Sequence, residues 1–138
     1  MAAIRDLRRL LAELRPVRRP GSYVFTAVTG PPPAGLRPVM TFAEDEGLTL
    51  ILARDAADAA GLPYSLVTAW ITLTVASALD AVGLTAAVAG ALADAGISCN
   101  VVAATHHDHL FVPEPAAAAA LAVLARLAVT GAGPGPSS

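Results

Sequence analysis

The spacing of apolar residues changes several times along the chain, and each change marks an element. Ile4, Leu7, Leu10, Leu11 and Leu14 recur at helical spacing, with Arg5, Arg8 and Arg9 on other faces. That predicts an amphipathic helix over about 3–15, stopped near Pro16. β-Branched and aromatic residues then take over in Tyr23-Val24-Phe25-Thr26-Ala27-Val28, a predicted strand. Pro31-Pro32-Pro33-Ala34-Gly35 is a loop, because proline brings no amide hydrogen to a ladder. A brief pairing segment at 39–42, an acidic turn at 44–47 and a strong apolar strand at 48–53 follow. Asp55 is placed to cap a short alanine-rich helix that Gly61 stops, and Pro63 opens a linker.

The second half opens with strict alternation over 68–76. Ala69, Ile71, Leu73 and Val75 share one face, and Thr68, Trp70, Thr72 and Thr74 share the other. A helix over 83–95 gathers Leu84, Val88, Ala91, Leu92 and Ala95 and ends at Gly96. Strands are expected at 98–104 and 109–112. Pro115 suits the first turn of a last helix running to about 128, and 131–138 reads as a disordered tail. The order is β-α-β-β-α, against α-β-β-α in the first half. Residues 7–28 lie over 84–105 at constant offset, which looks like an internal duplication whose first copy lacks its opening strand. The expected architecture is α+β: two tandem ferredoxin-like modules, 1–63 and 64–130, each an antiparallel sheet with its helices on one face.

Composition narrows the function. The chain has 138 residues and is 55% hydrophobic but only 4% aromatic, and alanine supplies much of the apolar share. Net charge is −2, with no basic excess to hold a phosphate backbone, so nucleic acid is not an expected partner. One cysteine, Cys99, leaves no internal disulfide and suits a reducing compartment, so the expected location is cytoplasmic. The long apolar stretch 68–95 is broken by Asp80 and Gly83 and alternates at its start, so no membrane span is expected. Ser65, Ser77 and Ser98 lack a nucleophile elbow, and neither a phosphate loop nor a dinucleotide fingerprint is present. No catalytic residues and no cofactor are expected, and the chain is not read as an enzyme.

The run "AVGLTAAVAGALADAGISCNVV" after Asp80 resembles the ACT domain, in which a strand, a glycine-containing loop, a helix and a second strand follow in order. "HHDHLFVP", "EGLTLIL" and "RRPGSYVF" resemble one subfamily: short bacterial proteins of two tandem ACT modules. These are similar to the regulatory part of aspartate kinases and, more distantly, to the CASTOR arginine sensors. The resemblance spans about 4–128. It implies an amino-acid ligand at module interfaces, held by Asp80, Ala81, Val82, Gly83 and Leu84 with Ser98 and Asn100. By comparison with the arginine sensors it adds Asp108. It implies that any regulated partner is a separate protein, and the sheet edges and apolar face that two small modules leave uncovered make a homodimer expected.

Residue chemistry agrees with that assignment and also admits plainer ones. Gly83 at a helix start permits close approach, and free amides there favour a carboxylate. Asp80 can hold an α-ammonium group, or only cap the helix. Asn100 can donate to a carboxylate, or tie its loop to the sheet. His107 and His109 point one way on a strand, His106 and Asp108 the other. Two imidazoles on one face suit a metal, but further ligands have no evident source, and no metal is expected. Glu44, Asp45 and Glu46 read as a solvated turn. Trp70 reads as an interface residue or a plug on the sheet, and Cys99 as a small core residue. The alternative to a sensor is a ligand-free interaction scaffold.

Overall fold

The structure, a computed structural model, describes residues 6–75 and 81–132. The first helix, α1, spans Leu7–Ala12, shorter than the apolar spacing predicts, because Asp6 caps it by accepting from the Arg8 amide at 3.0 Å. Strands β1 (Pro16–Arg18) and β2 (Tyr23–Val28) are two pieces of one extended run, interrupted at Pro20-Gly21. Strands β3 (Met40–Glu44) and β4 (Gly47–Ala53) form a hairpin. Gly47 closes it where nothing larger fits, since a Cβ there would meet the Val28 carbonyl oxygen at 2.6 Å. Helix α2 (Arg54–Ala59) follows without a break. Its N-cap is Ala53, so Asp55 lies in the first turn rather than capping it; the strand runs directly into the helix and leaves no room for a separate cap. Strand β5 (Val67–Leu73), helix α3 (Leu84–Asp94), strands β6 (Asn100–Ala103) and β7 (Asp108–Pro113), a 3-10 turn at Glu114–Ala116 and helix α4 (Ala117–Ala132) complete the order. β5 ends three residues before the predicted limit, and β6 begins two residues later than expected. α4 continues to Ala132, past the predicted end near 128, because its alanine and leucine run has no breaker before Gly131.

Among the described residues, seven strands make one antiparallel α+β sheet in the order β3-β4-β2-β5-β7-β6, with β1 on β5. β1 takes the Leu73 end of one β5 edge and β2 the Thr68 end. The helices share one face. Ala69, Ile71 and Leu73 of β5 and Leu110 and Val112 of β7 meet Leu10, Leu11 and Leu14 beside α3 and α4. Val24, Leu50 and Leu52 meet Ala57 of α2 in a smaller cluster on the same face. Packing therefore crosses the 63/64 linker: α1 and β1, early in the chain, are built into the core of the later elements. Burial of these aliphatic side chains, about 1.5–3 kcal/mol each, is the main force holding α1 in place.

The opposite face is concave. Val39 and Met40, at one edge of the sheet, line the same cavity as Val102 and Ala104 at the other. Phe25 of β2 touches Phe111 of β7 at 5.5 Å between ring centroids, although β5 lies between those strands. A flat sheet would keep such residues apart; the strand twist curls this one.

Candidate functional site

Two regions qualify, one on each face. The first is the turn between β5 and α3. Gly83 occupies its last position with φ +100, a left-handed conformation that costs other residues energy. Gly83 brings no side chain to cap α3, and the first turn of the helix carries no acid. The N-cap residue itself therefore offers the leading amides neither a carboxylate nor a hydroxyl. Asp108 begins β7 opposite Leu73, at the sheet end from which β5 leaves toward α3, and it is only 9% exposed. Leu84 is buried, Ala81 is half-buried and Val82 is 82% exposed. Asp80 lies outside the described residues.

Over this turn lies Leu7 of α1. The Leu7 side chain covers Gly83, with Cδ2 only 3.0 Å from where a Cβ would stand. Leu7 of α1 thus covers the turn at Gly83.

The expected site residues do not all converge. Asn100 pairs with Phe111 and Asp108 with Ala103, so Asn100 faces the concave side and Asp108 the helix side. Ser98 is exposed ahead of β6, outside any strand. Within one chain, Asp108 lies on the helix side at the end of the sheet where β5 leaves, while Asn100 lies on the other side and Ser98 outside the strands.

The second region is the concave face, and it is aromatic. Four of the chain's six aromatic residues meet there: Tyr23, Phe25, Trp70 and Phe111. Tyr23 meets Trp70 edge-on at 5.2 Å, and Phe111 stacks on Trp70 at 5.9 Å. The Arg19 guanidinium lies over the Trp70 ring, 4.9 Å from its centroid. Trp70 Nε1 donates to His109 Nδ1 at 3.0 Å, and Thr72 Oγ1 lies 3.1 Å from the same nitrogen. An indole N–H only donates, so Nδ1 accepts, and the neutral imidazole carries its hydrogen on Nε2. Desolvation, with the nearby His107 and Arg19 charges, holds the His109 pKa below its ordinary 6.5. Val39, Met40, Trp70, Val102, Ala104, His109 and Phe111 line a partly open cavity of about 220 Å³. Sequence reading saw the Thr68–Trp70–Thr72 face and the His107–His109 pair, but not that curvature brings residues 39, 40, 102 and 104 over them. The signal was the alternation of β7, which puts His109 and Phe111 on one side.

Elsewhere, a cleft of about 330 Å³ beside α2 includes Gly21, Arg54 and Asp58. Arg54 Nε donates to the Tyr64 hydroxyl at 3.1 Å, and that hydroxyl donates to Asp58 at 2.7 Å. Among the described residues, no three His, Cys, Asp or Glu side chains gather as a metal site, and no helix is long and apolar enough to cross a membrane. Burial pushes the Cys99 thiol up to about 11.

Sequence and structural comparison place the chain. Residues 2–69 match one ACT-domain profile and residues 65–126 another. A Vibrio cholerae protein of unknown function, described as a possible transport protein, is 46% identical. It superposes with a TM-score of 0.80, covering 88% of this chain and 95% of that one. The chain belongs to the ACT-domain family, as a tandem pair of modules. An Agrobacterium tumefaciens protein is similar at 22% identity and TM-score 0.65, over 83% of this chain and 89% of that one. The ligand-free regulatory subunit of Thermus thermophilus aspartate kinase shares the fold at 12% identity and TM-score 0.62, over 81% and 95% of the two chains. Among curated proteins, none matches the sequence. ACT domains are regulatory, ligand-binding modules rather than catalytic ones, and that is the class to which this chain belongs.

Proposed function

We propose that this chain is a non-catalytic regulatory protein that binds an amino acid where ACT modules meet, using the turn between β5 and α3. The observation that carries the reading is Gly83: a left-handed N-cap with no side chain of its own to cap the eleven-residue helix, which has no acid in its first turn. A ligand carboxylate is the natural partner for those amides, and the helix dipole adds to it. Asp108, at the same end of the sheet, and Asp80 supply negative charge for an ammonium group. Ser98 and Asn100 reach such a ligand only from a second module, which makes a homodimer part of the proposal.

Leu7 then has a role. A ligand that enters the turn must displace it, and α1 moves with it. Occupancy changes how α1 packs on α4, and a separate regulated protein that distinguishes the two packings reads the change. The proposed setting is the cytoplasm, where Cys99 stays reduced.

Calorimetry against the twenty amino acids, on the native chain and on Leu7→Ala, tests this reading. The expected result is binding tighter than about 1 mM, near −4 kcal/mol, and tighter still in Leu7→Ala. Silence in both proteins removes the amino-acid reading. It leaves the ligand-free scaffold, which the Leu7–Gly83 contact favours.

A further inference from the structure

The concave-face cavity is a second place where a small molecule fits, independent of the 81–84 turn. We propose that it binds a single-ring aromatic or branched aliphatic molecule carrying one hydrogen-bond acceptor, seated on Trp70 and Phe111 between the two sheet edges and held by the Nε2–H of His109. Size sets the first limit. At about 220 Å³ the cavity is smaller than the roughly 300–1,000 Å³ of drug-sized sites and larger than the roughly 150 Å³ that takes benzene. One ring or one branched chain fills it.

Its walls set the chemistry. Val39, Met40, Val102, Ala104 and Phe111 are apolar, and Trp70 spends its only N–H on His109. That bond fixes the tautomer, so the ring nitrogen His109 has left, Nε2, is a donor and not an acceptor. The complement is a carbonyl, amide or carboxylate oxygen. A cation is disfavoured, because Arg19 already lies over the ring that would attract it.

Trp70 is the chain's one tryptophan and lines the cavity, so its fluorescence reports occupancy directly. Phenylacetamide, phenylacetate and phenethylamine are titrated into the full chain. The first two are expected to change Trp70 emission saturably, and phenethylamine to leave it unchanged. Nuclear Overhauser contacts from the phenylacetamide ring should fall on the Val39 and Val102 methyl groups. Ala104→Leu, checked for an unchanged melting temperature, should weaken the response by about tenfold or more by filling the cavity.

Several results overturn the proposal. One is no saturable emission change with phenylacetamide or phenylacetate. Another is Overhauser contacts outside the cavity, and a third is equal binding of phenethylamine. Trp70 emission that shifts with protein concentration alone assigns the face to a second copy of the chain instead. Because none of these readouts involves Leu7 or Gly83, failure here is separable from failure of the amino-acid reading.

Discussion

The two faces of the sheet are built from different side chains, and the contrast explains what each can do. The helix face is aliphatic: leucine, valine, isoleucine and alanine close tightly around α1, α3 and α4. Such residues interdigitate and leave little space, and at the β5–α3 turn Leu7 fills what the glycine opens. The concave face holds five of six aromatics, three strand threonines and a histidine, and among the described residues no helix covers it. Flat rings on a curled sheet do not fill a hollow completely, and a cavity remains. Burial alone does not separate the faces, since Ile51, Thr68 and Phe111 on the concave side are as buried as the helix-face core. What differs is whether the covering atoms come from a helix or from the sheet's own far edge.

The largest expected effect tests whether the concave face is a second core. Phe111→Ala should cost about 3–5 kcal/mol in urea unfolding, and Leu92→Ala on the helix face about 2–5 kcal/mol. A cost below about 1 kcal/mol for Phe111 would make the concave face a mere surface and break the comparison. Next in size is Gly83→Ala, expected to cost roughly 1–3 kcal/mol from its left-handed backbone and the Leu7 clash. Combining it with Leu7→Ala should recover only the clash, so the two changes will not add.

A smaller effect is electrostatic. His109 is neutral in the fold with a pKa below 6.5, so in that window the unfolded chain binds more protons. Stability is therefore fully present above pH 6.5 and falls as pH drops through 6.5 toward the lowered value. His109→Phe should flatten that dependence in denaturation curves followed from pH 7.5 to 5; a profile unchanged by the substitution would place the titration elsewhere. The smallest effect is chemical. With its thiol near 11, Cys99 should react slowly with iodoacetamide at pH 8 and rapidly once the chain unfolds. Fast labelling of the native protein would show that the helix face opens locally beside α3.

Much of the fold was legible because periodicity is a local property. The alternation of Ala69, Ile71 and Leu73 against Thr68, Trp70 and Thr72 identified β5 and both of its faces, and Gly96 marked the end of α3. Boundaries were less legible where a neighbour decides them. Asp55 has the chemistry of a cap, but β4 runs straight into α2 and the cap falls on Ala53. Asp6, not the apolar spacing, sets where α1 begins. For the site, the glycine turn at 83 was readable from composition, while its cover by Leu7 was not, since the two lie far apart in the chain.

The sequence by itself determined the family, the order of elements and which residues lie on which side of each strand, because those follow from spacing along one chain. Only the tertiary structure decided that α1 belongs to the later core, that Asn100 and Asp108 face opposite sides, and that residues from both sheet edges line one cavity with Trp70. Those outcomes depend on strand pairing and on the accumulated twist of seven strands, which are sums over distant contacts that no local window contains.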